Sequence, residues 1–187
     1  MRILGISGSL RRDSYNTRLL RAAALALPSG AELVTYRDLA AIPPFNEDHE
    51  DEGAPEPVLA LRAHVAAADA LLVSTPEYNA SVPGVLKNAV DWASRPFPDN
   101  SLRERPAAVI GASTGLFGAV WAQAELRKSL RHAGAHVLDD ELPVALAADA
   151  FAEDGRLASP ELDERLGDLL AALAREAAAP LEVLELR

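Results

Sequence analysis

Short apolar segments alternate along the chain with longer segments in which apolar residues recur every three or four positions. The short segments are typical of buried strands, and the longer ones are typical of amphipathic helices. Strands are predicted at residues 3–7, 32–36, 70–75, 107–111 and 136–138. Helices are predicted from about 14 to 27, at 83–94, from about 117 to 133, and at 162–178.

This alternation predicts an α/β fold. Because crossovers between parallel strands are right-handed, the expected architecture is a doubly wound, five-stranded parallel sheet with helices on both faces. Residues 70–75 are continuously apolar and fit a central strand. Residues 38–57 contain four prolines and an acidic cluster at 47–52, so we predict a surface excursion there. The length favours one domain over residues 1–187.

Composition narrows the class of protein. The chain has 187 residues, of which 49% are hydrophobic and 25% charged, as in ordinary folded proteins. It contains no cysteine, which excludes disulfides, thiolate nucleophiles and cysteine-bound metals. The net charge of −10 argues against nucleic acid or anionic membranes as partners. No apolar run has the length of a membrane span or a signal peptide, so we expect a soluble cytoplasmic protein.

Candidate chemistry lies where the predicted strands end, because open parallel sheets bind ligands beyond the carboxyl ends of their strands. The first such loop begins at Gly8 and leads into a helix, whose N-terminus attracts anions. Arg11 adds a positive charge, and hydroxyl and amide groups come from Ser9, Ser14 and Asn16. We predict a phosphate site, with Arg12 solvated. The loop has no GxGxxG pattern, so a dinucleotide site of the Rossmann type is disfavoured.

The second loop follows the strand at 70–75. Pro76 ends that strand, and Ser81 is predicted to cap the following helix. Glu77, Tyr78 and Asn79 lie between them and suit a planar heteroaromatic ligand. A capped turn without a ligand is the alternative interpretation of this loop.

The third loop, residues 111–118, has three glycines that allow a backbone to approach a ligand closely. It also matches the GxSxG pattern of hydrolases at Ser113. A hydrolase needs an acid and then a histidine later in the chain. Glu125 is the only acidic residue between Ser113 and the last histidine, His136. It is too close to Ser113 in sequence to occupy a separate loop. The hydrolase interpretation therefore fails.

These motifs together closely resemble the NAD(P)H-dependent FMN reductase family, which includes quinone, azo-dye and chromate reductases and has the flavodoxin-like fold. The resemblance extends from the first strand to about Arg131. It rests on Gly8-Ser9-Leu10-Arg11-x-x-Ser14-x-Asn16, on the run Thr75-Pro76-Glu77-Tyr78-Asn79-x-Ser81-x-Pro83-Gly84 with the helix through Trp92, and on Ser113-x-Gly115-x-x-Gly118.

The resemblance implies a role for each loop in binding FMN. The residues implied to hold the FMN phosphate are Ser9, Arg11, Ser14 and Asn16. Those implied to border the flavin ring, largely through backbone groups, are Pro76, Glu77, Tyr78 and Asn79. Those implied to approach its pyrimidine edge are Ser113, Thr114 and Gly115. No catalytic side chain and no metal ligand are implied.

The implied activity passes hydride from NAD(P)H through FMN to a small-molecule electron acceptor, such as a quinone, an azo compound, free flavin or a metal oxyanion. Such a chain is expected to form a homodimer or homotetramer with flavin sites near subunit contacts. Trp121 is then placed at a subunit contact or at the mouth of the pocket. Two alternatives stay open: a flavodoxin-type electron carrier, and a flavin-free regulatory domain of the same fold.

Overall fold

Five parallel strands form a single sheet in the computed structural model, which describes residues 1–179. The strands are β1 (Arg2–Ser7), β2 (Glu32–Tyr36), β3 (Ala70–Thr75), β4 (Pro106–Ala112) and β5 (His136–Val144). They lie in the order β2-β1-β3-β4-β5, and every neighbouring pair is parallel. This is the flavodoxin-like order, so the predicted sheet is confirmed. The prediction of one domain over 1–187 includes residues 180–187, which lie outside the described residues.

Helices cover both faces of the sheet. They are α1 (Tyr15–Leu25), α2 (Glu47–Asp51), α3 (Glu56–Ala66), α4 (Gly84–Ala93), α5 (Val120–His132) and α6 (Pro160–Ala178). Leucines of α1 and α6 pack with Ile3, Leu72 and Ile110 on one face. Leucines of α3, α4 and α5 pack with Leu4 and Val73 on the other. Each face therefore buries a separate hydrophobic core, and β3 is buried along its whole length.

Spanning a bilayer requires a long apolar helix, and none of the helices within residues 1–179 meets that requirement.

The last strand is longer than its predicted extent of 136–138. Val137 pairs with Ala107, but the next aligned pair joins Glu141 to Val109, so β5 contains two additional residues there. β5 is an edge strand, and its acidic residues are partly or fully exposed to solvent. This acidic run hides the strand from a pattern search, because it interrupts the apolar signal.

The prediction of a surface excursion at 38–57 agrees with the exposure of most of its residues, but the segment is more regular and more closely packed than its sequence indicates. The segment forms a 3₁₀ turn (Leu39–Ala41) and α2, and it packs across α4. The carbonyl oxygen of Pro43 accepts hydrogen bonds from Asn88 Nδ2 and Trp92 Nε1, both at 2.8 Å. The ring of Phe45 meets the buried Trp92 edge-to-face, with 4.9 Å between ring centroids. The excursion therefore packs on α4 through Pro43 and Phe45, while its acidic part stays largely exposed.

The acidic cluster at 47–52 is partly helical, and a further helix follows it. The cluster contains α2, which is capped by Asn46, and Glu50 forms a 2.6 Å ion pair with Arg62 of α3. α3 was not predicted, although its buried residues are Val58, Leu61 and Val65. Those residues have the helical spacing of three and four, so the signal for α3 was present in the sequence.

Candidate functional site

Three loops meet at the carboxyl edge of the sheet, where β1, β3 and β4 are neighbours. The first loop (8–14) follows β1, and the second loop (76–83) follows β3. The third loop follows β4, and its bounds in the structure are 113–119 because β4 extends to Ala112 and α5 begins at Val120. The chain moves outward from β1 to β2 and then returns to place β3 on the other side of β1. The first and second loops therefore flank the switch point at which flavodoxin-like sheets bind ligands.

A single cleft joins the three loops, and it collects most of the predicted site residues. Its lining residues are Ser9, Arg11, Ser14, Tyr15, Asn16, Pro76, Glu77, Tyr78, Ala112, Ser113 and Thr114. Asn79 and Gly115 were predicted and do not line it. Tyr15 and Ala112 line it and were not predicted, although both adjoin predicted residues in sequence. The predicted loops are thus brought together into one site.

The first loop presents a helix N-terminus and a guanidinium group to this cleft. Ser14 is the N-cap of α1, and its hydroxyl accepts hydrogen bonds from the backbone N–H groups of Asn16 and Thr17. Arg11 is exposed, with its guanidinium carbon 5.7 Å from the centre of the Tyr15 ring. Its only side-chain hydrogen bond within residues 1–179 is a long one of 3.4 Å to the Asp13 carbonyl. The guanidinium is therefore available to an anion.

Asn16 has a structural role that the sequence did not reveal. Its Oδ1 accepts hydrogen bonds from Ser74 Oγ at 2.9 Å and from Ala112 N at 3.0 Å. Its Nδ2 donates to the Ala112 carbonyl at 3.0 Å. This buried amide therefore ties the start of α1 to β3 and β4, and it leaves one Nδ2 hydrogen for a ligand.

The second loop contains a tight turn at its outer end. Tyr78 and Ser81 exchange two backbone hydrogen bonds of 3.1 Å. Asn79 and Ala80 between them have φ values of 53° and 57°. Two consecutive positive φ angles define a type I′ turn, which an alanine adopts at a cost of roughly 1–2 kcal/mol. The turn presents the half-exposed Tyr78 ring beside the cleft.

The prediction that Ser81 caps α4 is wrong. Pro83 occupies the N-cap position, and no side chain caps the helix there. The Ser81 hydroxyl instead donates a 2.6 Å hydrogen bond to Glu125 Oε2 on α5. The type I′ turn directs Ser81 away from α4 and toward α5.

Glu77 also bonds to α5. Its Oε2 accepts hydrogen bonds from the backbone N–H groups of Trp121 and Ala122, both at 3.0 Å. The second loop is thus held against α5 by two side chains, Glu77 and Ser81. Since the Glu77 carboxylate is engaged by α5, the second loop has its backbone and the Tyr78 ring to offer a ligand.

The third loop is held by the chain that follows β5. Ser113 and Gly115 both accept hydrogen bonds from that segment through their carbonyl oxygens, and Ser113 Oγ accepts one from Gly115 N at 3.1 Å. Gly118 has a φ of 57°, and a Cβ there would lie 2.5 Å from the Pro143 carbonyl carbon. Only glycine fits this position without a shift of backbone.

The hydrolase interpretation fails in the structure as well. His136 begins β5, at the amino edge of the sheet, whereas Ser113 follows β4 at the carboxyl edge. His132 ends α5 and also lies toward the amino edge. The two histidines belong to different elements.

Large exposed apolar residues occur in and beside the three loops, and together they are called the apolar rim. Its members, defined here as the large exposed apolar residues of the three loops and their flanks, are Leu10, Tyr78, Leu116, Phe117, Trp121 and Leu146. Phe117 and Trp121 meet edge-to-face with 4.9 Å between ring centroids. Apolar surface of this kind is typical of contacts with ligands or proteins.

The donor set of the cleft fits a phosphorylated planar heterocycle. A guanidinium, hydroxyl groups and the N-terminus of α1 form the end suited to a phosphate. The second and third loops offer backbone groups and a tyrosine ring at the other end. FMN, with a phosphate at one end and a planar ring at the other, fits this arrangement.

A family model decides the relationship. The model described as NADPH-dependent FMN reductase matches residues 1–149. The chain belongs to this family. The match covers all three loops, so the resemblance predicted from their motifs is confirmed.

Several known proteins are similar to most of the chain. An NAD(P)H-dependent FMN reductase of Pseudomonas aeruginosa is 44% identical over 92% of this chain and 93% of its own length. A quinone reductase of Pseudomonas putida is 37% identical over 81% of this chain and 82% of its own. The structure of FerB, a flavoenzyme NAD(P)H:(acceptor) oxidoreductase from Paracoccus denitrificans, superposes with a TM-score of 0.83 at 36% identity, covering 95% of this chain and 97% of FerB.

Proposed function

We propose that this protein is an NAD(P)H-dependent FMN reductase that serves small-molecule electron acceptors such as quinones. Azo compounds, free flavin and metal oxyanions are further candidates of the same type. The observation that carries the proposal is the cleft itself, where an end suited to a phosphate and an end suited to a planar ring meet at the switch point of the sheet. The names of the relatives support the same activity.

Residues of the first loop hold the phosphate in this proposal. Arg11 supplies the positive charge, and Ser9 and Ser14 border the N-terminus of α1, whose dipole favours an anion. Asn16 contributes mainly by fixing the start of α1 on β3 and β4, with one Nδ2 hydrogen left for the phosphate. The guanidinium of Arg11 and the N-terminus of α1 both favour an anionic group such as a phosphate.

Residues of the second and third loops hold the ring. Pro76, Glu77, Tyr78 and Asn79 belong to the turn that borders it, and Ser113, Thr114 and Gly115 belong to the loop that faces its pyrimidine edge. FMN bound there would accept hydride from NAD(P)H and pass it on to the acceptor. The backbone N–H groups of the third loop favour the negative charge that reduction brings. No side chain of the cleft is required to transfer a proton.

We also propose that the protein forms a homodimer or homotetramer, in the cytoplasm, where NAD(P)H is available. The apolar rim supports this assembly, because the exposed fractions of Phe117 and Trp121 are 60% and 47%. Rings of this size next to a cleft are more often covered by a partner than left in water. A second subunit there would supply a further wall to the pocket.

An absorbance spectrum of the purified protein, followed by anaerobic titration with NADH and NADPH, tests the activity. We expect flavin absorbance after incubation with FMN and its bleaching on addition of NADH or NADPH. Bound flavin that NAD(P)H does not bleach would indicate an electron carrier. Failure to take up FMN would indicate a flavin-free domain and would contradict the proposal.

A further inference from the structure

The N-terminus of α5 is capped by a residue 44 positions away in the sequence. Glu77 Oε2 accepts from the N–H groups of Trp121 and Ala122 at 3.0 Å each. The N–H group of Val120 donates to the Phe117 carbonyl oxygen, and that of Gln123 donates to the Ala119 carbonyl oxygen. The N–H groups of Val120, Trp121 and Ala122 lie at the start of the helix, outside its regular i to i−4 hydrogen bonds, and two of these three depend on one carboxylate.

The local sequence explains why a distant cap is needed. Ala119 occupies the N-cap position of α5 and has a left-handed backbone with φ of 63°. Its methyl group provides no acceptor for the helix N–H groups, whereas Ser14 and Ser159 provide one for α1 and α6. Helices lacking a local Ser, Thr, Asp or Asn cap lose stability at this end. Glu77 replaces the missing local cap.

The position of this cap connects two loops of the cleft. Glu77 is itself a lining residue, and the third loop runs directly into α5. A shift of the α5 N-terminus would move residues 117–119 and then Ser113 and Thr114, which line the cleft. The Glu77 hydrogen bonds therefore fix the third loop relative to the second.

The negative charge of the Glu77 carboxylate lies at the N-terminus of α5. A helix N-terminus carries about half a positive elementary charge, and a carboxylate more than cancels it. The N-terminus of α5 adjoins the third loop, which the proposed function places near the pyrimidine edge of the flavin. A negative charge there disfavours a reduced flavin, and an uncompensated helix end favours it.

We propose that Glu77 is a positioning residue that caps α5, fixes the third loop against the second, and lowers the reduction potential of bound flavin through its charge. The effect on potential rests on the proposed function. The capping does not, because it is a property of the protein without flavin.

The first experiment measures amide hydrogen exchange of the apo protein at residues 120–123. Glu77→Ala removes the acceptor, and we expect protection of the Trp121 and Ala122 amides to fall roughly tenfold. Glu77→Gln keeps an oxygen acceptor and is expected to retain most of this protection. Glu125→Gln is the matched control, since it neutralises an acid that also contacts the second loop but leaves the cap intact.

Two exchange results would overturn the capping. One is weak protection of the Trp121 and Ala122 amides in the wild-type protein, a measurement that stands even if Glu77→Ala fails to fold. The other is equal protection in wild type and a folded Glu77→Ala variant.

The second experiment measures the midpoint potential of FMN bound to wild type, Glu77→Gln and Glu125→Gln. We expect the midpoint potential to rise in Glu77→Gln. It should rise less in Glu125→Gln, because Glu125 lies one turn beyond Trp121 along α5. An unchanged or lower potential in Glu77→Gln would overturn the proposed effect of charge. Wild-type protein that binds no FMN would refute the proposed function, and the exchange experiment would still decide the capping.

Discussion

The first loop and the two loops opposite it use their polar side chains differently. Arg11 of the first loop is exposed, and its side chain makes one long hydrogen bond within the described chain. Glu77 and Ser81 of the second loop are both bonded to α5 at 3.0 Å or less. The third loop is held at both ends by backbone hydrogen bonds and by the tight fit of Gly118.

This difference separates two ways of building a binding site. A charged side chain left free at a loop costs little and gains its partner when an anion binds. A planar ring needs walls at fixed positions, and side chains bonded to a neighbouring helix supply that rigidity. We therefore expect substitutions in the first loop to change ligand affinity, and substitutions in the other loops to change stability.

The largest effect is expected at Gly118 in the third loop. Gly118→Ala would place a methyl group 2.5 Å from the Pro143 carbonyl carbon in a left-handed backbone conformation. We expect the free energy of unfolding to fall by roughly 3 to 4 kcal/mol, measured by urea denaturation. Gly84→Ala is the control, because a Cβ at Gly84 meets nothing within 4 Å. Equal stability of the two variants would contradict a tightly packed third loop.

Asn16 combines both kinds of residue, because it lines the cleft and its side chain also forms hydrogen bonds within the protein. Asn16→Ala should lower the free energy of unfolding by roughly 2 to 3 kcal/mol, because it leaves buried groups of Ser74 and Ala112 without a partner. Thermal and urea unfolding of the apo protein measure this. Asn16→Asp should also destabilise, because it removes the donor to the Ala112 carbonyl and buries a charge. Wild-type stability in either variant would show that the amide is not structural.

Substitution of Arg11 should change the affinity for FMN and leave the free energy of unfolding almost unchanged. Arg11→Ala is expected to weaken FMN binding about tenfold to thirtyfold, equivalent to roughly 1.5 to 2 kcal/mol for a lost charge-assisted hydrogen bond. Its unfolding free energy should change by less than about 0.5 kcal/mol, as for other exposed residues. Fluorescence titration with FMN measures the affinity, with Arg12→Ala as the neighbouring control. Equal affinity in the Arg11 and Arg12 variants would remove Arg11 from the phosphate site.

The smallest effect concerns Tyr36, at the end of β2 and outside the three loops. Its hydroxyl is buried with no hydrogen-bond partner among residues 1–179. Tyr36→Phe should therefore raise the free energy of unfolding by about 1 kcal/mol. A destabilised variant would show that the hydroxyl has a partner, such as a bound water molecule.

The same residue predicts a pH dependence. Burial, with a smaller effect of the Asp38 charge, raises the pKa of Tyr36 above its ordinary value of 10.0. Above about pH 10 the unfolded chain loses this proton first, so the wild-type protein should lose stability as pH rises. The stability of Tyr36→Phe should fall less steeply in the same range. Parallel slopes for the two proteins would contradict this cause.

The sheet and the location of the site could be predicted from the sequence because they depend on local signals. The continuous apolar run of β3 marks a buried strand, and Ser14 marks a helix start. The three loops follow from the strands, and the topology of a parallel sheet brings them together. β5 was only partly predicted, because an edge strand tolerates the acidic residues that interrupt its pattern.

The side-chain contacts within the site could not be predicted in this way. Glu77 and Trp121 are 44 residues apart, and nothing in either local sequence indicates that one caps the other. Ser81 looks like a cap for α4, but a positive φ at Ala80 turns it toward Glu125. Asn16 looks like a ligand group, and its bonds to Ser74 and Ala112 appear only when the strands are assembled.

The most direct test of the account compares the binding of FMN and riboflavin to the wild-type protein. The two ligands share the ring that the second and third loops would hold, and only FMN carries the phosphate assigned to the first loop. We predict that FMN binds at least tenfold more tightly. Equal affinity for the two ligands would contradict a phosphate site at Arg11 and the N-terminus of α1.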